Sequence, residues 1–245
     1  QMSVVMNQPV IVENRTGGGG VVAAEAAIRS AADGYTILAG TPNGLVVRRF
    51  LAKQQSFDVL KDLTPITAVA RTTTYVVTTA GRFKTLAELI AFAKANPGKI
   101  SYGTSGHGSA HHLTGEQIQM LTGARMEHVP YKGGTLPMQE AAAGTIPVAI
   151  GIVSIVQPFL AAGKLQVLGV VSEKRSPLLP DAPALPEIVP GFEAPPSWTG
   201  LFGPANLPPA ILRRANADAV KALTAPETLQ RFGELRDRKS TRLNS

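Results

Sequence analysis

A two-lobed α/β fold is predicted by three features of this 245-residue sequence. β-rich runs alternate with helix-like segments from the start, a second α/β series follows residues 98–101, and a β-rich run returns at 198–203 after a proline-rich stretch. Such alternation builds a largely parallel sheet flanked by helices. Two series with a late return imply two lobes crossed twice by the chain: residues 1–100 with 199–236 in lobe 1, and 101–198 in lobe 2. Ligands in such folds sit beyond the carboxyl ends of the strands, so a cleft between lobes is the expected binding site.

The first β-rich run is Pro9-Val10-Ile11-Val12-Glu13, followed by Gly17 to Gly20 and an Ala-rich helix over 21–32 closed by Asp33-Gly34. Residues 35–39 read as the next strand, ending in the turn Gly40-Thr41-Pro42-Asn43-Gly44; 66–70 and 75–79 are two more. Thr85-Leu86-Ala87-Glu88 is a capping box, which satisfies free amides at a helix start, and the helix it opens stops at Asn96-Pro97-Gly98. A strand at 100–102 runs into Gly103-Thr104-Ser105-Gly106-His107-Gly108-Ser109. The helix after it carries Leu113, Gln117, Met120 and Leu121 at i, i+4, i+7 and i+8, the expected buried stripe. Strand 127–130, helix 136–143, strand 146–150, helix 155–162 and strand 165–171 complete the second series. Residues 176–196 read as an ordered connection. Strand 198–203 is followed by a helix starting at Pro208-Pro209, suited to a first turn, and another opened by the capping box Thr224-Ala225-Pro226-Glu227. The closing segment, Asp237 to Ser245, has no hydrophobic period and matches the translation of a common sequencing-adapter read-through, so it is expected to stand outside the fold.

Composition narrows the function. With 44% hydrophobic and 17% charged residues the chain is globular in type, and no apolar run approaches the roughly 18 residues of a membrane span. The sequence has no cysteine, which excludes disulfides and thiolate metal sites within it. Its +7 charge is scattered and lacks the basic face with interleaved aromatics typical of nucleic-acid binders; a diffuse excess suits small anions instead. Gln1 to Met6 shows neither a basic start nor a cleavage site of a secretory signal.

Four motifs invite chemistry. Gly17 to Gly20 precedes a helix, but no Gly-Lys-Ser/Thr follows and Val22 stands where a dinucleotide loop needs its third glycine. Gly103-Thr104-Ser105-Gly106 begins like a hydrolase elbow and then places His107 where glycine is required. His107, His111, His112 and Glu116 have helix-compatible spacing, yet the i, i+4 pairs fall on different faces and His-Glu-x-x-His is absent, so no metal or other cofactor is expected. The remaining reading is an anion loop: glycines, hydroxyls and a helix start present free amides to a carboxylate. Tyr131-Lys132-Gly133-Gly134-Thr135 repeats that pattern.

Several segments together resemble the Bug/TctC family, the extracytoplasmic solute-binding receptors of tripartite tricarboxylate transporters. They are Val12-Glu13-Asn14-Arg15-Thr16-Gly17-Gly18-Gly19, Asp33-Gly34-Tyr35-Thr36, Lys84-Thr85-Leu86-Ala87-Glu88-Leu89 and Asn96-Pro97-Gly98-Lys99. Tyr102-Gly103-Thr104-Ser105-Gly106, His128-Val129-Pro130-Tyr131-Lys132-Gly133-Gly134, Ala162-Gly163-Lys164-Leu165 and Ser197-Trp198-Thr199-Gly200-Leu201 continue the match in order. The resemblance implies a type II periplasmic-binding-protein fold, a monomeric periplasmic receptor for a small carboxylate, membrane transporter subunits as partners, and no catalysis. It also implies that the chain begins inside the family's first helix, without the strand and ligand-binding loop that precede it. Carried over residue by residue, Thr41 and Asn43 would face the ligand from the first lobe. Ser105, Gly106 and Ser109 would hold its carboxylate, Tyr131 and Gly133 would supply the facing loop, and Trp198 would lie by the crossover. Gly151 stands where the family often has Asp, which favours a simple acid over an amino acid. A ligand-sensing regulatory domain on the same fold is the alternative reading, and an enzyme on an α/β scaffold is a third.

Overall fold

The computed structural model describes residues 1–51, 56–177, 179–234 and 238–239. The chain forms two compact units, Gln1–Arg71 together with the chain from Trp198, and Thr72–Ser197. The return crossing falls one residue from the expected position. The outbound crossing lies at Arg71/Thr72, well before the expected 98–101. The reason is pairing: the strand after Thr72 is bonded on both edges within the second unit, and the helix after it shares that unit's core.

The first unit contains α1 (Met2–Met6), a 3-10 turn at Gly18–Gly20, α2 (Val21–Ile28), β1 (Leu38–Gly40), a π turn at Asn43–Val47, α3 (Arg48–Leu51), α4 (Val59–Asp62) and β2 (Leu63–Arg71). The second holds β3 (Thr74–Thr79), α5 (Leu86–Ala95), β4 (Ser101–Thr104), α6 (Ala110–Thr122), β5 (Glu127–Pro130), α7 (Thr135–Ala143), β6 (Val148–Ile152), α8 (Val153–Ala161), β7 (Leu165–Val171) and α9 (Leu185–Ile188). The chain then returns to the first unit as β8 (Trp198–Pro204), α10 (Pro209–Thr224), α11 (Pro226–Glu234) and β9 (Arg238–Lys239). Arg238 and Lys239 belong to the segment expected to stand outside the fold but pair with β2; the rest of that segment lies outside the described residues. No helix among the described residues is long and apolar enough to cross a membrane.

In the first unit the strand order is β1-β8-β2-β9 and every pair is antiparallel, which corrects the expectation of a largely parallel sheet there. The cause is the late return: β8 comes back between β1 and β2 and runs against both. The run at 9–13 is not a strand; Ile11 and Val12 are 88% and 83% exposed, so β-branched residues without a paired neighbour stay outside the ladder. The second unit has the order β5-β4-β6-β3-β7. Its β4 is parallel to β5 and β6, while β3 is antiparallel to β6 and β7, so β3 alone opposes the other four.

Alternation along β3 and β6 places residues on both faces of that sheet. Val76 and Ile150 join Leu86, Leu89, Tyr102 and Ile118 on one side. Tyr75 and Ala149 join Met138, Val153 and Val156 on the other. Helices α5 and α6 therefore cover one face and α7 and α8 the second, a helix–sheet–helix sandwich. Thr85 caps α5 as expected, its Oγ1 accepting from Glu88 N–H at 3.1 Å, and the Glu88 carboxylate accepts from Lys84 N–H at 2.7 Å. Thr85→Ala should therefore cost about 1 kcal/mol of stability, read as a lowered urea midpoint. Thr224 behaves differently. It ends α10, and its hydroxyl donates back to the Val220 carbonyl at 2.9 Å instead of opening α11.

The buried stripe of α6 also differs from expectation. Met120 is 75% exposed, whereas His111, Thr114, Gly115 and Ile118 are buried. The face is rotated by about one residue because the ring of Tyr102, fully buried on β4, occupies the space over Gly115.

Candidate functional site

The loop joining β4 to α6 carries the strongest site geometry in the second unit. β4 ends at Thr104, whose carbonyl accepts from Tyr131 N–H at 3.0 Å, joining this loop to the one that follows β5. Gly106 and Gly108 adopt φ of +123° and +73°, conformations that L side chains rarely enter. These two glycines let the chain fold back so that Ser109 becomes the N-cap of α6. Ser109 Oγ accepts from His112 N–H at 3.1 Å and donates to the Gly106 carbonyl at 2.8 Å. Helix geometry leaves the amides of Ala110 and His111 without an intrahelical acceptor, at the positive end of the α6 dipole.

Ser105 is joined to His111, with Oγ and Nδ1 2.8 Å apart. Burial depresses the His111 pKa to about 4, so the ring is neutral at pH 7. The hydroxyls of Ser105 and Ser109 thus each have a partner within the protein. A carboxylate reaching this loop meets backbone amides first, and takes hydroxyl donors only by exchange.

The predicted residues separate into two groups. Ser105, Gly106, Ser109 and Tyr131 come together: a Cβ placed on Gly106 would lie 3.2 Å from the Tyr131 carbonyl oxygen. Gly133, at φ +112°, lies in the same loop as Tyr131 with open space at its Cβ position. Gly151 is buried within β6 rather than following a strand, and a Cβ there would meet Met138 Cε at 2.7 Å, so its small size admits the α7 side chain. Thr41, Asn43 and Trp198 belong to the other unit. There Asn43 Nδ2 donates to the Gly19 carbonyl at 3.2 Å, while Trp198 packs with Phe202 against the core containing Leu38 and Leu45. Thr41 is exposed just after β1.

Three further residues escape a reading of spacing alone. Thr104 Oγ1 lies 2.6 Å from His128 Nε2 and accepts from Gly106 N–H at 3.2 Å, bracing the loop from below. His111 is the buried partner of Ser105. His128, on β5, pairs in register with Tyr102 and stacks on His112 with ring centroids 4.0 Å apart. Only the polar residues at a strand end could have hinted at this, because parallel pairing of β4 with β5 is what brings residue 128 beside residue 112.

Comparison with known proteins places this geometry in context. A family model described as the tripartite tricarboxylate transporter family receptor matches residues 1–235. Protein BugT of Bordetella pertussis is 33% identical over 93% of this chain and 70% of its own length. A Cupriavidus necator protein, described as a UPF0065 protein in the gbd 5' region, is 36% identical over 94% of this chain and 70% of its own. Among solved structures, an R. palustris protein with adipate has a TM-score of 0.90 at 30% identity, covering 97% of this chain and 80% of that one. The periplasmic binding protein BugD has a TM-score of 0.87 at 27% identity, covering 98% and 80%.

Proposed function

Because the chain belongs to the receptor family of tripartite tricarboxylate transporters, we propose that it is a periplasmic receptor that captures a small carboxylate for a membrane transporter. No bond is made or broken in this function. The carrying observation is the glycine-bent, Ser109-capped start of α6, with the amides of Ala110 and His111 directed outward from the helix end. Such an arrangement stabilises a negative charge without a cationic side chain. Ser105, Gly106, Ser109, Tyr131 and Gly133 are the ligand contacts this reading assigns to the second unit. The adipate in the R. palustris relative supports an aliphatic acid as the ligand class.

Thermal shift of the purified protein against small acids, amines and nucleotides tests this. One class of acid should raise the melting temperature, with about 2.7 kcal/mol of added stability at a hundredfold excess over Kd. Ser105→Ala with Ser109→Ala should remove the rise. A folded protein that answers amines or nucleotides and ignores every acid would overturn the assignment.

A further inference from the structure

Three histidines converge beside the carboxylate loop, on atoms that the proposed ligand contacts do not use. His107 lies in the loop between β4 and α6, His112 in the first turn of α6, and His128 on β5. One ring nitrogen from each lies within 4.8 Å of the other two. The rings pack edge to face for His107 with His112 and with His128, at 5.4 and 4.9 Å between centroids, and stacked for His112 with His128. We propose that His107, His112 and His128 form a binding site for a divalent transition metal, Zn2+ in the first instance.

The ligand distances suit that ion with small adjustments. Nitrogens bound to one Zn2+ at about 2.0–2.1 Å lie roughly 3.4 Å apart in a tetrahedron. Closure therefore needs the nitrogens to approach by up to about 1.4 Å, and His107 is exposed and able to supply much of that movement. With three protein nitrogens and no thiolate in the chain, the set is that of an imidazole site with its fourth position open.

A second observation points the same way. His128 Nδ1 is buried and has no hydrogen-bond partner among the described residues. Leaving a buried ring nitrogen unpaired is costly, and native structures rarely do so without a ligand, water or ion to satisfy it. The opposite nitrogen, Nε2, is held by Thr104 Oγ1 at 2.6 Å. If Nε2–H donates to Thr104, the Nδ1 lone pair is left free, as metal-binding histidines require. His112 differs in that its Nδ1 already has a partner. Gly108 N–H donates to Nδ1 at 3.1 Å, which places the proton of the neutral ring on Nε2, 3.6 Å from Glu116 Oε1. Glu116 is fixed in turn by the Tyr102 hydroxyl at 2.6 Å. A carboxylate behind a ligating imidazole is the usual outer support of such sites. An ion taking His112 Nδ1 would replace one backbone hydrogen bond.

The test uses untagged, chelator-stripped protein with no organic acid present, so its outcome is separate from that of carboxylate capture. Calorimetric titration with zinc chloride should show one saturable equivalent. His107→Ala and His128→Gln should each weaken it at least about 100-fold, since changes in the outer shell alone cost 10–100-fold. X-ray absorption of the zinc-loaded protein should show three imidazole nitrogens in the first shell. The proposal is overturned if zinc fails to saturate a site, or if binding persists in the His107→Ala, His128→Gln double variant. Should that variant fail to fold, fewer than two imidazoles in the absorption spectrum of the parent protein would overturn it as well.

Discussion

Gly115→Ala should destabilise the second unit by about 2 kcal/mol or more, although alanine is the better helix former. Intrinsic propensity favours alanine over glycine inside a helix by about 1 kcal/mol. Packing opposes it. A Cβ at position 115 would stand 2.2 Å from Tyr102 Cε2 and 2.5 Å from Cζ. That ring has little room to yield: it is fully buried on β4, its hydroxyl donates to Glu116, and its other side faces the His128 ring at 5.1 Å. Helix α6 must then lift from the sheet. Overpacking of a dense core costs typically 1–3 kcal/mol and more where neighbours are fixed, so the steric effect exceeds the propensity gain. A lowered urea midpoint checks the prediction, and Tyr102→Leu in the Gly115→Ala background should recover part of the loss. An alanine variant as stable as the parent would show that α6 does not rest on Tyr102 as described.

That same face of α6 shows where sequence reading succeeded and where it could not. Strands 127–130 and 165–171 were legible because short β-rich runs were bounded by clear turn residues. The start of α5 was legible because its cap is local chemistry, Thr85 and Glu88 acting on adjacent amides. The buried stripe of α6 was misread because the residues facing the sheet are His111, Thr114 and Gly115, whose burial is set by Tyr102 on another element and not by their own polarity. Pairing direction was equally out of reach. Alternating strands and helices indicate parallel neighbours, but nothing local to β3 or β8 says that each runs against the strands beside it. The glycine-bent, capped start of α6 was readable from Gly106, Ser109 and the helix start. The histidine cluster was not, since it needs the β4–β5 register, a property of two segments jointly.

Gly106→Ala should weaken capture of the carboxylate by roughly 10–100-fold, provided the proposed function holds. The glycine sits at φ +123°, where a side chain meets steric strain of about 1–3 kcal/mol, and a Cβ would press within 3.2 Å of the Tyr131 carbonyl. The loop can relieve both only by turning this peptide. Doing so displaces the carbonyl that receives the Ser109 hydroxyl and the amide that binds Thr104 Oγ1, so the start of α6 loses its alignment. Each 1.4 kcal/mol transferred from strain to binding is a factor of ten in affinity. Gly123→Ala is the informative control. Gly123 ends the same helix at φ +74° with open space around its Cβ position, so it carries comparable backbone strain far along α6 from the loop. Calorimetry should find reduced stability in both variants and reduced affinity in Gly106→Ala alone. Equal loss of affinity in both would trace the effect to general destabilisation, and undiminished binding in Gly106→Ala would remove this loop from the ligand site.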